Sequence, residues 1–224
     1  MSRRLWLAGG LVFGLTLLLN LPAAWALRLI DWPPGWQPAQ VSGSVWNGHA
    51  QQAGALGPLA WQLRPWRARL ETGLAQQHWT LTVSGWPWHW QAQLLPGAAV
   101  AGVNSPYLIG GQWQGRLQID GRGARCVGAS GQVQGHDVGL LTPWTLAVGE
   151  VRLNVECQQG LQGLADVQRE GEHHLQARLE TDGGGIRVSG QVTPQAALTP
   201  LLVQAGLLKA GDERFEKVFG AVRR

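Results

Sequence analysis

Val151-Arg152-Leu153-Asn154-Val155-Glu156-Cys157 alternates apolar and polar side chains without a break. Neighbouring side chains of a strand point to opposite faces, so Val151, Leu153, Val155 and Cys157 share one side. The same period of two recurs to either side. Trp79, Leu81 and Val83 alternate with Thr80, Thr82 and Ser84, and Leu117 and Ile119 with Arg116, Gln118 and Asp120. Leu175, Ala177 and Leu179 alternate with Gln176, Arg178 and Glu180, and Ile186 and Val188 with Arg187 and Ser189. One dry face and one wet face is the pattern of antiparallel sheets; parallel sheets are buried on both sides. The reading is a mainly β chain.

Turn signals punctuate these runs at Asn47-Gly48, Pro96-Gly97, Asp120-Gly121 and Asp182-Gly183-Gly184-Gly185. Their spacing predicts roughly eight to ten strands joined mostly by hairpins, a meander. A short pattern returns as Ser42-Gly43-Ser44-Val45-Trp46, Gly110-Gly111-Gln112-Trp113-Gln114-Gly115, Ser130-Gly131-Gln132-Val133-Gln134-Gly135 and Ser189-Gly190-Gln191-Val192. Its spacing is irregular, so it is no solenoid repeat. It reads as one hairpin type reused within a single long sheet, with glycines marking bulges or close backbone approach. One short helix is predicted near the end. Thr199 can cap it, Pro200 suits its first turn and Gly206 can stop it. Its apolar face would cover an end of the sheet, and Phe215, Lys217 and Phe219 would form a last strand.

The 224 residues hold 32 Gly and 13 Trp but only 14% charged side chains. That composition excludes a charged disordered tail and disfavours a coiled coil or helix bundle. The net charge of +4 and pI of 9.8 invite a nucleic-acid reading. Past Asp31, however, 15 basic residues face 13 acidic ones, with the arginines scattered about one per strand. No stripe of phosphate-neutralising charge is visible, so no nucleic-acid partner is expected.

Leu5 to Leu27 is a run of 23 residues without a charge, preceded by Arg3 and Arg4. At 1.5 Å per residue such a run can cross a hydrocarbon core of about 30 Å. The positive-inside rule then keeps the N-terminus cytoplasmic and exports the rest. The implied organisation is a cytoplasmic start (1–4), a transmembrane helix (5–27), a juxtamembrane linker (28–40) and a periplasmic β domain (41–224). The rival reading is a cleaved signal peptide, with Ala24-Trp25-Ala26 as its cleavage site; the apolar run before Pro22 is long for that. Trp32 and Trp36 sit where aromatic rings favour the membrane interface.

Cys126 and Cys157 have no CxxC and no metal-type histidine spacing, and an even count in an exported domain reads as a disulfide. No nucleophile elbow, zinc-helix motif or phosphate loop is present. His173 and His174 point opposite ways on a strand, with His174 on the side of Glu170 and Glu172, which reads as a solvated face. The sequence therefore points to no enzyme, no cofactor, no metal and no catalytic residue. Trp86, Trp88 and Trp90 share one face of an extended segment broken by Pro87. They are either packing residues at a core or strand edge, or an aromatic platform for sugar, peptide or lipid.

The segments Leu21-Pro22-Ala23-Ala24-Trp25-Ala26-Leu27, Val41-Ser42-Gly43-Ser44-Val45-Trp46-Asn47-Gly48-His49-Ala50 and Leu59-Ala60-Trp61-Gln62-Leu63 resemble general secretion pathway protein N, a family of the bacterial type II secretion system. Position 44 is Ser where the family pattern has Thr. The resemblance implies a single-pass inner-membrane protein with its bulk in the periplasm. It would be an accessory to export of folded proteins, touching other secretion subunits of the inner-membrane platform or the outer-membrane secretin. The family's fold resembles the long, curved sheets of AsmA-type lipid-transfer proteins, which implies the alternative of a β-groove handling lipid or shielding a hydrophobic partner. Docking through a sheet uses its edges and exposed aromatic surface. The candidate partner-binding residues are therefore Val41, Trp46, Trp86, Trp88 and Trp90.

Overall fold

The computed structural model describes residues 3–32, 36–54, 56–74, 77–99, 108–142, 145–158, 160–180 and 185–220. Two N-terminal helices, α1 (Arg3–Leu19) and α2 (Ala23–Leu27), precede four short strands: β1 (Pro38–Ala39), β2 (Ser42–Gly43), β3 (Asn47–Ala50) and β4 (Gln52–Ala53). Then come β5 (Leu59–Arg64), β6 (Arg67–Leu74), β7 (Gln77–Trp86), β8 (His89–Ala99), β9 (Leu108–Arg122) and β10 (Arg125–Thr142). The chain continues through β11 (Leu146–Cys157), β12 (Leu161–Arg169), β13 (His173–Glu180), β14 (Gly185–Val192), helix α3 (Thr199–Gln204) and β15 (Arg214–Phe219). Among the described residues, thirteen strands form one antiparallel sheet in almost unbroken chain order, from β2 to β15, and β1 and β4 pair with each other outside it. The predicted meander is present, with more strands than the turn signals implied.

Register explains why the alternation matters. Trp61 pairs with Leu70, Leu70 with Leu81, Leu81 with Leu94 and Leu94 with Leu117. Further along, Val133 pairs with Leu153, Leu153 with Ala165, Ala165 with Ala177 and Ala177 with Val188. Each strand's apolar set thus falls on the same side as its neighbour's, and a one-residue slip anywhere would turn that strand's set to the other face. The opposite side carries a polar ladder, including Gln91 Nε2 donating to Asp120 Oδ1 at 2.9 Å.

The apolar side is packed in two places. In the middle, Trp79, Leu117 and Val133 form a cluster flanked by Leu94, Trp113, Leu153 and Val155, and Val133 is 0% exposed. Trp79 and Trp113 meet edge-on, with centroids 5.5 Å apart. At the far end, α3 and the turn after it lay Leu202 and Leu208 on Val192, with Leu175, Leu198 and Phe215 around them. Elsewhere, among the described residues, the face has no second layer. The chain exposes 15296 Å², where a compact 24.2 kDa protein exposes about 10,000 Å².

α3 corrects one expected cap and bears out another. Thr199 does not cap the helix; Leu198 holds that position, and the Thr199 hydroxyl donates to Thr193 O at 2.8 Å. Gly206, at φ +69°, does stop it. Its N–H bonds Val203 O and the Leu207 N–H bonds Leu202 O, the paired closure that a left-handed residue permits at a helix end.

Three expected turns are not turns. Asn47-Gly48 opens β3, while Pro96-Gly97 and Asp120-Gly121 lie inside β8 and β9. Gly121 faces Trp90 across the ladder, and a Cβ there would fall on the Trp90 ring. The glycine makes room for an indole instead of bending the chain. The fourth signal, at 182–185, lies mostly outside the described residues. Nor is the recurring glycine pattern one hairpin type. Its copies on β9 and β10 pair with each other, Trp113 opposite Gly135 and Gly115 opposite Val133.

The apolar N-terminal run is not one helix. α1 spans 17 residues, Leu21 and Pro22 leave the helical path, and α2 restarts at Ala23. Pro22 disfavours the helical conformation at Leu21. The freed backbone joins the sheet: Pro22 bridges Ser44, and the Val45 N–H donates to Leu21 O at 2.9 Å. Among the described residues no helix is long and apolar enough to cross a membrane.

Candidate functional surfaces

The disulfide is present. Cys126, at the start of β10, is bonded to Cys157, at the end of β11, with 5.7 Å between their Cα atoms. The two strands are sheet neighbours, so the bridge staples one end of a paired ladder.

Trp46 and Val41 flank the β2 edge, which the chain's own N-terminal segment partly covers. The Trp46 indole donates to Leu18 O, at the end of α1, at 2.8 Å. Trp61 Nε1 donates to Val45 O at 3.1 Å, and Trp32 Nε1 to Leu27 O at 2.9 Å. Trp46 is half-buried at a helix–sheet junction, so it is neither a free edge residue nor a core residue.

Trp86, Trp88 and Trp90 do not share a face. Pro87 and Trp88 form the turn of the β7–β8 hairpin, which returns the chain on itself. Trp86 and Trp88 stack nearly parallel at 5.1 Å, while Trp90 runs back along β8 and donates to Gly123 O at 2.9 Å. The stack has a third member that alternation along one strand could not show: Trp66, in the β5–β6 turn, lies 6.4 Å from Trp86. Trp66, Trp86 and Trp88 are 58%, 49% and 66% exposed, so they are surface rings rather than core. The signal for Trp66 is the Pro65-Trp66 pair, matched by Pro87-Trp88 in the next turn along the same edge.

His173 is buried, with Nε2 2.9 Å from Val148 O and Nδ1 without a hydrogen-bond partner, while His174 is exposed on the other face of β13. His174 pairs with Asp166 at 2.7 Å, not with Glu170 or Glu172; Glu172 pairs with Arg169 at 3.1 Å. Partial burial raises the Asp166 pKa, but hydrogen bonds from His174 and Gln176, with the charges of His174 and Arg152, outweigh it and hold the carboxyl below its ordinary 3.8. A folded-state pKa below the unfolded one adds stability above that unfolded value, and the contribution is lost as pH falls through the folded value. An Asp166→Asn variant is therefore expected to be less stable than wild type at neutral pH, with the gap closing in acid. Thermal melts across the acid range check this; a gap that is constant with pH would show that Asp166 acts only by packing. Among the described residues no group of three His, Cys, Asp or Glu side chains could hold a metal.

The class is a single-layer antiparallel β-meander with a half-open apolar face and exposed tryptophans. The model of the family type II secretion system (T2SS), protein N, matches residues 34–212, or 179 of the 224, and the chain belongs to that family. Its family is thus one of type II protein secretion, a process of the cell envelope. No curated protein and no solved structure matches the chain.

Proposed function

We propose that this protein is a non-catalytic accessory of type II secretion, held in the inner membrane by its N-terminal segment, whose periplasmic sheet docks other subunits of the exporter on its apolar face. The observation that carries this is the apolar face, which runs in register from β5 to β9 and from β10 to β14 and is covered, among the described residues, by its own central cluster and by α3. At its C-terminal end Leu179 and Ile186 face each other across the ladder, and both are exposed, as is Phe219 on the last strand. An apolar surface left open to this extent is a partner site.

α1 supports the anchoring. Its apolar side chains from Leu11 to Leu19 are exposed, a costly arrangement in water and the natural one in lipid. The polar side chains at its C-terminal end bond back to the helix: the Thr16 hydroxyl donates to Val12 O at 2.8 Å, and the amide of Asn20, just past its end, to Thr16 O at 2.9 Å. The fifteen residues of α1 after Arg3 and Arg4 rise about 22 Å, short of a hydrocarbon core of about 30 Å, and such a mismatch is met by local thinning of the bilayer.

Detergent co-purification tests the docking role. Wild-type protein is expected to elute with secretion subunits, and a Leu179→Lys, Ile186→Glu double variant to lose them with little change in melting temperature, since both side chains are already exposed and the new charges are opposite in sign across the ladder. Protein that elutes with bound phospholipid and no subunit would overturn docking and establish the lipid-handling groove instead.

A further inference from the structure

The three tryptophans of the hairpin tips have company. The β5–β6, β7–β8 and β9–β10 turns lie at one end of the sheet, and their residues 64–67, 86–89 and 122–125 hold four arginines and no acidic residue. Arg64 stands directly opposite Arg67, and Arg122 directly opposite Arg125. Like charges facing across a ladder destabilise it unless something neutralises them. All four are exposed, and the ion pairs among the described residues engage other arginines: Arg69, Arg152, Arg169 and Arg187. The sequence reading of scattered arginines is thus corrected for these four, which folding gathers beside the stacked rings.

The tips are tied into one ridge. The Gly85 N–H donates to Trp66 O at 3.0 Å and the Gly123 N–H to Pro87 O at 2.8 Å. The ridge begins where α1 ends: Trp46 bonds Leu18 O through its indole and accepts from the Leu63 N–H, one residue before Arg64. If α1 lies in a bilayer, this end of the sheet is the end that meets its surface.

We infer that the ridge of Trp66, Trp86 and Trp88 with Arg64, Arg67, Arg122 and Arg125 seats on an anionic phospholipid surface, fixing the sheet against the membrane that α1 enters. Indole rings settle at the headgroup level, and arginines beside them are drawn to anionic lipid. The occupant is a bilayer rather than a protein because the unneutralised arginine pairs call for a layer of anions, and the helix end brings one to them. The inference rests on the anchoring part of the proposed function.

The test uses the full chain in vesicles of phosphatidylcholine with phosphatidylglycerol, carrying one environment-sensitive dye at a time on Phe13→Cys, Trp88→Cys or Glu170→Cys. Glu170 lies in the β12–β13 turn at the opposite end of the sheet. Quenchers attached to lipid at shallow depth are expected to quench the dye at 88 and spare that at 170. Replacing Arg64, Arg67, Arg122 and Arg125 by Gln, or omitting phosphatidylglycerol, is expected to abolish quenching at 88 while deep quenchers still reach 13. Quenching at 13 without quenching at 88 overturns the inference and leaves the anchor standing. No quenching at 13 overturns the anchor itself. A dye at 88 that responds only when a secretion subunit is added makes the ridge a protein interface and overturns the lipid assignment.

Discussion

A Trp79→Ala variant is expected to lose about 3–5 kcal/mol, the cost of emptying a buried aromatic site. Trp79 belongs to the central cluster, edge-on to Trp113 and beside Leu117 and Val133. A sheet with one layer has little else to close over the void, so relaxation recovers little. Natural domains stand only about 5–15 kcal/mol above their unfolded state, so the loss is a large share of the total. Urea melts of the variant should show a midpoint far below wild type. Trp88→Ala serves as the control: its ring is exposed, and changes at such sites usually stay within about 0.5 kcal/mol. Equal midpoints for the two variants would show that the cluster around Val133 is not what holds the sheet together.

The second large effect is expected from replacing Cys126 and Cys157 together with serine. Closing a loop of this separation, 31 residues, restricts the unfolded chain by about 3–4 kcal/mol in the chain-entropy account. The bridge joins β10 and β11, the strands that carry Val133 and Leu153, so losing it lets the middle of the sheet open from one end. Denaturation midpoints with and without reductant should differ for wild type and coincide for the double variant. Thiol titration of the unfolded, unreduced wild type is expected to find no free thiol. Two reactive thiols would remove the staple from the account.

Much of the fold is legible because its strands each gather their apolar side chains on one face. Val151 to Cys157 and Leu175 to Leu179 announce strands with no knowledge of their neighbours, since alternation is a local consequence of the pleat. Cys126 and Cys157 could be paired because an even count, in a chain read as exported, constrains them before geometry does. The turns were harder to place. Asp120-Gly121 carries the local chemistry of a turn, but Trp90 of the adjacent strand needs the space above Gly121, and that need is written in another segment. Trp86, Trp88 and Trp90 mislead for a related reason. Parity along a segment assigns faces only while the chain stays extended, and the hairpin at Pro87 ends it.

Composition, alternation and the charge-free run at the N-terminus determine by themselves that this chain is an antiparallel β protein with an apolar leader and a single possible disulfide. These are properties of residues and their near neighbours, and they survive without any fold. Only the tertiary structure decides that Trp66 joins Trp86 and Trp88, that Arg64 faces Arg67 and Arg122 faces Arg125 at the same end of the sheet, and that α1 ends beside them. Hairpin tips far apart in sequence become neighbours through strand length and register, because antiparallel pairing brings every second turn to the same end of the sheet.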